Sequence, residues 1–172
     1  MSWWQKMFSA EPKAAAPAVT SEQPIFAFQR RIAYQSSDEL AQRLQASESA
    51  VKVYVDRVMQ AANDFWKKQE RGPGRLVTLV VALKPGAQVR YWLESEPSGL
   101  DPAQIRELCE LLSQVPPPLV VKGPVAFGIQ ATLWDATGPE ENWPTLPREW
   151  ARASVGLSLR VPDEVLAMIW PD

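Results

Sequence analysis

The chain contains no histidine and only one cysteine. Without an imidazole, Ser-His-Asp and Cys-His nucleophilic arrangements, histidine general bases and the common His-containing zinc sites are excluded together. One cysteine permits neither an intramolecular disulfide nor a four-cysteine zinc site. That residue, Cys109, lies in the apolar-periodic run Ile105-Arg-Glu-Leu-Cys-Glu-Leu-Leu112. The setting is that of a small buried hydrophobe, because a nucleophilic thiolate needs a histidine or a strongly basic neighbourhood. No apolar run approaches the eighteen or so residues of a membrane-spanning helix. Eighteen basic and twenty acidic residues give a formal net charge of −2, with no block of either sign. That balance argues against nucleic acid as a partner, since phosphate-driven binding leaves a basic stripe or patch. Gly72-Pro73-Gly74 is too short for a phosphate-binding loop and runs into a strand pattern, so no nucleotide fingerprint is present. No cofactor and no metal is expected.

What the chain does have is 46% hydrophobic residues in 172, enough to bury the core of one ordinary domain. The Pro/Ala-rich stretch Ser9 to Pro24 has nothing large to bury and reads as a flexible linker. Residues 1–24 are therefore expected to be an aromatic N-terminal peptide with its linker, and residues 25–172 a single α+β domain. Met-Ser-Trp-Trp-Gln-Lys-Met-Phe is too short and polar for a secretory signal, which points to a cytoplasmic protein.

Ile25–Phe28 is a candidate short strand. Ser36-Ser-Asp-Glu39 marks a helix start, and Leu40, Leu44, Val51, Val55, Val58, Ala62 and Phe65 recur at helical spacing. One long helix is predicted over about 37–70, with Arg43, Glu48, Lys52, Asp56, Lys67 and Lys68 on its solvated face. Leu76–Leu83 and Gln88–Glu94 form a β-hairpin around Pro85-Gly86, where proline supplies a fixed φ and glycine a permissive one. Asp101 as N-cap and Pro102 at the first helical position open a helix that runs to about Val115, before Pro116-Pro-Pro118. Gly123–Trp134 is a long strand with Val125, Phe127, Ile129, Ala131 and Leu133 toward the core. Asp135–Trp150 reads as a long loop, Ser154–Val161 as a last strand and Pro162–Trp170 as a short C-terminal helix. The fold class is α+β: an antiparallel sheet of three to five strands packed by one long helix and one shorter helix, with the short C-terminal helix added.

The pieces Lys84-Pro-Gly-Ala-Gln-Val89, Asp101–Val115, Pro116-Pro-Pro118 and Lys122-Gly-Pro-Val-Ala-Phe127 follow in the order hairpin, helix, proline cluster, strand. Over about residues 76–133 this order resembles the C-terminal domain of TonB-type energy transducers. The resemblance covers a third of the chain and implies a hairpin-helix-strand fold; the family's membrane anchor is missing here, and the helix before the hairpin is foreign to its pattern.

Eight tryptophans are present. Trp66, Trp134 and Trp170 are expected in the core. Trp143 and Trp150, in the Pro-rich loop, are candidates for an exposed contact surface, because tryptophan offers a large apolar area with one polar handle. Trp3, Trp4, Met7 and Phe8 would gather on one side of a helical turn or two, giving a tethered docking peptide for a protein partner or, second, a weak contact with a membrane surface. These features describe a non-catalytic protein-binding module, a bacterial adaptor or immunity-type protein. The alternative is a carboxylate-dependent enzyme or accessory subunit using Glu94 and Glu96, Glu140 and Glu141, or Asp163 and Glu164. A TonB-like transducer domain is a further alternative.

Overall fold

Strand periodicity decides the centre of the molecule. In a computed structural model that describes residues 23–155 and 162–172, four strands form one antiparallel sheet. They are β1 (Phe26–Ala33), β2 (Arg75–Lys84), β3 (Gln88–Glu96) and β4 (Val125–Leu133), in the order β1-β4-β2-β3. Five helices accompany them: α1 (Ser37–Arg43), α2 (Glu48–Lys67), α3 (Pro102–Leu112), α4 (Arg148–Ala153) and α5 (Pro162–Ile169). The α+β class, the hairpin, α3 and α5 match the expectation from sequence. Lys84 pairs with Gln88 across the turn, where Gly86 at φ 84° and Ala87 at φ 58° take the left-handed conformations that close it.

The two inner strands, β2 and β4, are apolar on both faces because both faces are covered. Every residue of β4 is buried, as is every residue of β2 after Arg75. Alternate side chains feed two separate cores, as the two-residue period requires. Val77, Leu79, Val81 and Leu83 join Phe127, Ile129, Ala131 and Leu133 beneath α2 and α3. Val80, Ala82 and Ala126 point the other way, toward α4 and α5. Gly128 sits where the sheet is most crowded: a Cβ there would lie 2.5 Å from Ile32 Cγ1 and 3.0 Å from the Tyr34 hydroxyl. The connection from β1 to β2 passes over β4, and that from β3 to β4 passes over β2, giving two interleaved split β-α-β crossovers.

Four expectations need correction. The helix predicted over 37–70 is two helices, broken at Leu44–Ser47. The break is made by tertiary pairing: Gln45 N–H donates to the Leu119 carbonyl (2.9 Å) and Val121 N–H to that of Arg43 (2.8 Å). Ser47 then caps α2 by accepting from Ala50 N–H. The strand expected at Ile25–Phe28 continues to Ala33, with an irregularity between Phe28 and Arg30. Gln29-Arg30-Arg31 hid this extension, since an edge strand tolerates charge that an inner strand would not. The loop over 135–150 contains a 3₁₀ turn at Glu140–Asn142 and ends in α4, which begins at Arg148. Of the strand expected at Ser154–Val161, Ser154 and Val155 belong to the turn closing α4, and 156–161 lie outside the described residues. Among the described residues no helix is long and apolar enough to cross a membrane.

Candidate functional site

The two loop tryptophans proposed as exposed contacts have different surroundings. Trp150, carried by α4, is 2% exposed. Its ring meets Trp92 edge-on, with centroids 5.4 Å apart at 82°, and Tyr34 at 5.4 Å. It is the aromatic anchor of the second core, which corrects its reading as an exposed surface residue. Trp143 is partly exposed, its indole N–H donating to the Ala131 carbonyl (3.2 Å) and Arg30 lying 5.5 Å over its ring. Trp66 is fully buried and Trp134 nearly so, as expected, whereas Trp170 is only partly covered. Trp3, Trp4, Met7 and Phe8 lie outside the described residues.

A different surface carries the exposed apolar area. The segment after α3, Val115-Pro-Pro-Pro-Leu-Val-Val121, leaves the helix because proline forbids it and fixes φ, and it reaches an isolated bridge between Val120 and Leu44. Val120 is buried opposite Leu44, so its neighbours Leu119 and Val121 face outward and are 56% and 51% exposed. On α2, Val53 is 46% exposed and lines a groove with Pro116–Pro118, the residues just before Leu119. A groove of about 360 Å³ runs between α2 and Pro116–Pro118, floored by the buried Tyr54 and rimmed by Arg57. The apolar triplet Leu119-Val120-Val121 was visible in the sequence, but the preceding prolines marked only the end of a helix. Which of the three would face outward depended on a pairing with Leu44 that no local pattern announces.

The carboxylates weighed for catalysis are scattered over separate contacts. Glu94 accepts from the Arg148 backbone N–H (2.8 Å), and Glu140 pairs with Arg30. Asp163 takes a two-pronged bond from Arg43, at 2.7 and 2.8 Å, with Gln35 adding a third donor. Glu149, which no sequence pattern marks, accepts from the Trp92 indole N–H and from Arg90. Among the described residues, no three acids or thiols come close enough to hold a metal ion. Cys109 is half-buried against β3, with its Sγ 3.7 Å from the Tyr91 carbonyl, and burial pushes its thiol up to about 11. It is therefore protonated at neutral pH and a poor nucleophile. Tyr54 and Tyr91 share a hydroxyl contact of 2.5 Å beneath α2, and burial raises both phenols, Tyr91 to about 12.

Compared with family models, with curated proteins and with solved structures, the chain finds no match in any of the three.

Proposed function

We propose that the protein is a non-catalytic protein-binding module, of adaptor or immunity type, that receives an apolar extended segment of a partner protein along Val53, Leu119 and Val121. The observation that carries this reading is the Pro116–Pro118 groove with half-exposed Val53 in its wall, followed in the chain by the half-exposed Leu119 and Val121. Leu119 and Val121 stand two residues apart on extended chain, a spacing of about 6.8 Å that alternate side chains of a strand-like ligand reproduce. The walls of such a groove are stiff, because the prolines are already restricted and α2 is anchored by its buried face, so little order is lost on binding. Cytoplasmic residence and a docking role for Trp3, Trp4, Met7 and Phe8 belong to the same proposal. The hairpin-helix-strand order from Leu76 to Leu133 supports a TonB-like likeness of fold and carries no argument for energy transduction.

The test places a photo-crosslinking residue at Leu119 and, as control, at the exposed Gln60, in lysate of the source cells. One discrete adduct at 119, missing at 60 and lost with Val53→Asp plus Val121→Asp at unchanged Tm, is the expected result. Equal labelling at both positions, or an adduct indifferent to the double substitution, overturns the reading. Deleting residues 1–8 should weaken the same adduct without moving Tm. Binding of vesicles rather than protein by the full-length chain alone would reassign the aromatics to lipid.

A further inference from the structure

Lys84 closes β2 at the end of the sheet opposite Arg75, and its side chain is only 8% exposed. An ammonium withdrawn from water to that extent needs strong partners. They come from the residues following α5: the Trp170 carbonyl, the Asp172 carboxylate at 2.9 Å and the face of the Trp170 ring, 4.7 Å from Nζ. The pair is lopsided, for the Asp172 side chain is 96% exposed. The other acid nearby, Asp163, has both oxygens committed to Arg43. The countercharge of a buried cation is thus supplied by a side chain that sits in water and that another anion can replace.

Around this pair opens a cleft of about 660 Å³, bounded by Pro85, Gln88, Pro124, Leu166, Ala167 and the Lys84–Asp172 pair itself. Its size suits a small organic ligand, and its walls are mostly apolar, with Lys84 joined in the lining by Asp172 and by Asp163, whose charge Arg43 neutralises. We propose that this cleft binds a small carboxylate with an apolar body, its carboxylate taking the place of Asp172 on Lys84 and its body lying against Pro124 and Leu166. Asp172 then acts as a tethered competitor, present at a millimolar-range effective concentration. The proposal is independent of the apolar strip at Leu119 and of any partner docked there.

The probe is hexanoate, titrated into the full chain while backbone amide NMR resonances of Lys84, Leu166 and Ala167 are followed. Asp172→Ala should give saturable shifts with a Kd about tenfold or more tighter than the unaltered chain. Lys84→Met added to Asp172→Ala should abolish them. Because Lys84→Met alters a buried position of the sheet, Ala167→Trp, at an exposed wall position, serves as a second block that keeps the ammonium, and it too should abolish binding. Equal affinity with and without the Asp172 carboxylate, or no saturable shift in Asp172→Ala, overturns the proposal. Inorganic phosphate or hexylamine matching hexanoate in affinity overturns the assignment of an apolar carboxylate.

Discussion

The two faces of the sheet are covered by different means. The face beneath α2 and α3 is closed by long regular helices whose apolar residues, from Val51 to Trp66 and at Leu108 and Leu112, interlock with aliphatic side chains of β2 and β4. The opposite face is closed by short pieces, α4 and α5 with the loop that leads into α4, pinned by Trp150, Val165 and Leu166. Polar ties then hold these pieces at their edges: Arg43 to Asp163, Arg90 to the Ile169 carbonyl, Trp92 to Glu149 and Lys84 to Asp172. A long helix spreads its anchoring over many small contacts and tolerates the loss of one. A cover of short elements concentrates it in a few side chains and ion pairs, and so should open locally before the whole domain unfolds.

The largest effect that could break this contrast is at the paired tryptophans. Trp66→Ala empties the middle of the main core and should cost about 3–5 kcal/mol in denaturant unfolding, with the transition remaining a single step. Trp150→Ala should cost about 3 kcal/mol, and its signature should be local. Amide exchange should rise in α4 and α5 while β2 and β4 keep their protection. Uniform loss of protection in the Trp150 variant would show that the two cores unfold as one unit.

A smaller effect is expected at the ion pair between Arg43 and Asp163, whose side chains are 15% and 38% exposed. Asp163→Asn should lower stability by about 1–2 kcal/mol and loosen α5 in particular. Raising the salt concentration should narrow the gap between variant and parent, because an ion pair at this exposure is partly screened. A salt-independent difference would mean that the contribution of Asp163 is geometric, through its hydrogen bonds with Gln35 and Arg43.

The smallest effect is a response to high pH, in which the face beneath α2 and α3 carries three raised acids and, among the described residues, the other face only Tyr34. Cys109, Tyr54 and Tyr91 all belong to the side beneath α2 and α3, and burial raises the pKa of each. For an acid held protonated by the fold, the unfolded chain loses its proton first. Stability is therefore undiminished below about pH 9, where the ordinary thiol titrates, and falls as pH climbs through 11 and 12. Thermal midpoints measured from pH 8 to 11 should decline only above about 9, and Cys109→Ala should flatten the first part of that decline. A decline beginning near neutrality would show that Cys109 and the buried tyrosines do not set this pH dependence.

Much of the main core was legible because its signals are local and repeated. The alternation in Val125–Leu133, the Pro-Gly turn and the Asp101-Pro102 helix start each determine a conformation through φ restriction, capping or periodic burial. All three stand in the structure as the sequence implied. The candidate site was not legible in the same way. The prolines and charges around Trp150 suggest a surface residue, yet Trp92 and Tyr34 enclose it from positions 58 and 116 residues earlier.

By itself, the sequence determined that there would be no imidazole chemistry, that the nearly all-apolar β2 would be an inner strand and that the hairpin and α3 would lie where they do. Those features follow from composition and from interactions within a few residues. Only the tertiary structure decided that the helix expected over 37–70 breaks at Leu44, that Leu119 and Val121 face outward while Val120 is buried, and that Lys84 meets Asp172. Each of these depends on pairing between residues far apart in the chain, whose geometry is fixed by how the whole sheet is covered and not by any local preference.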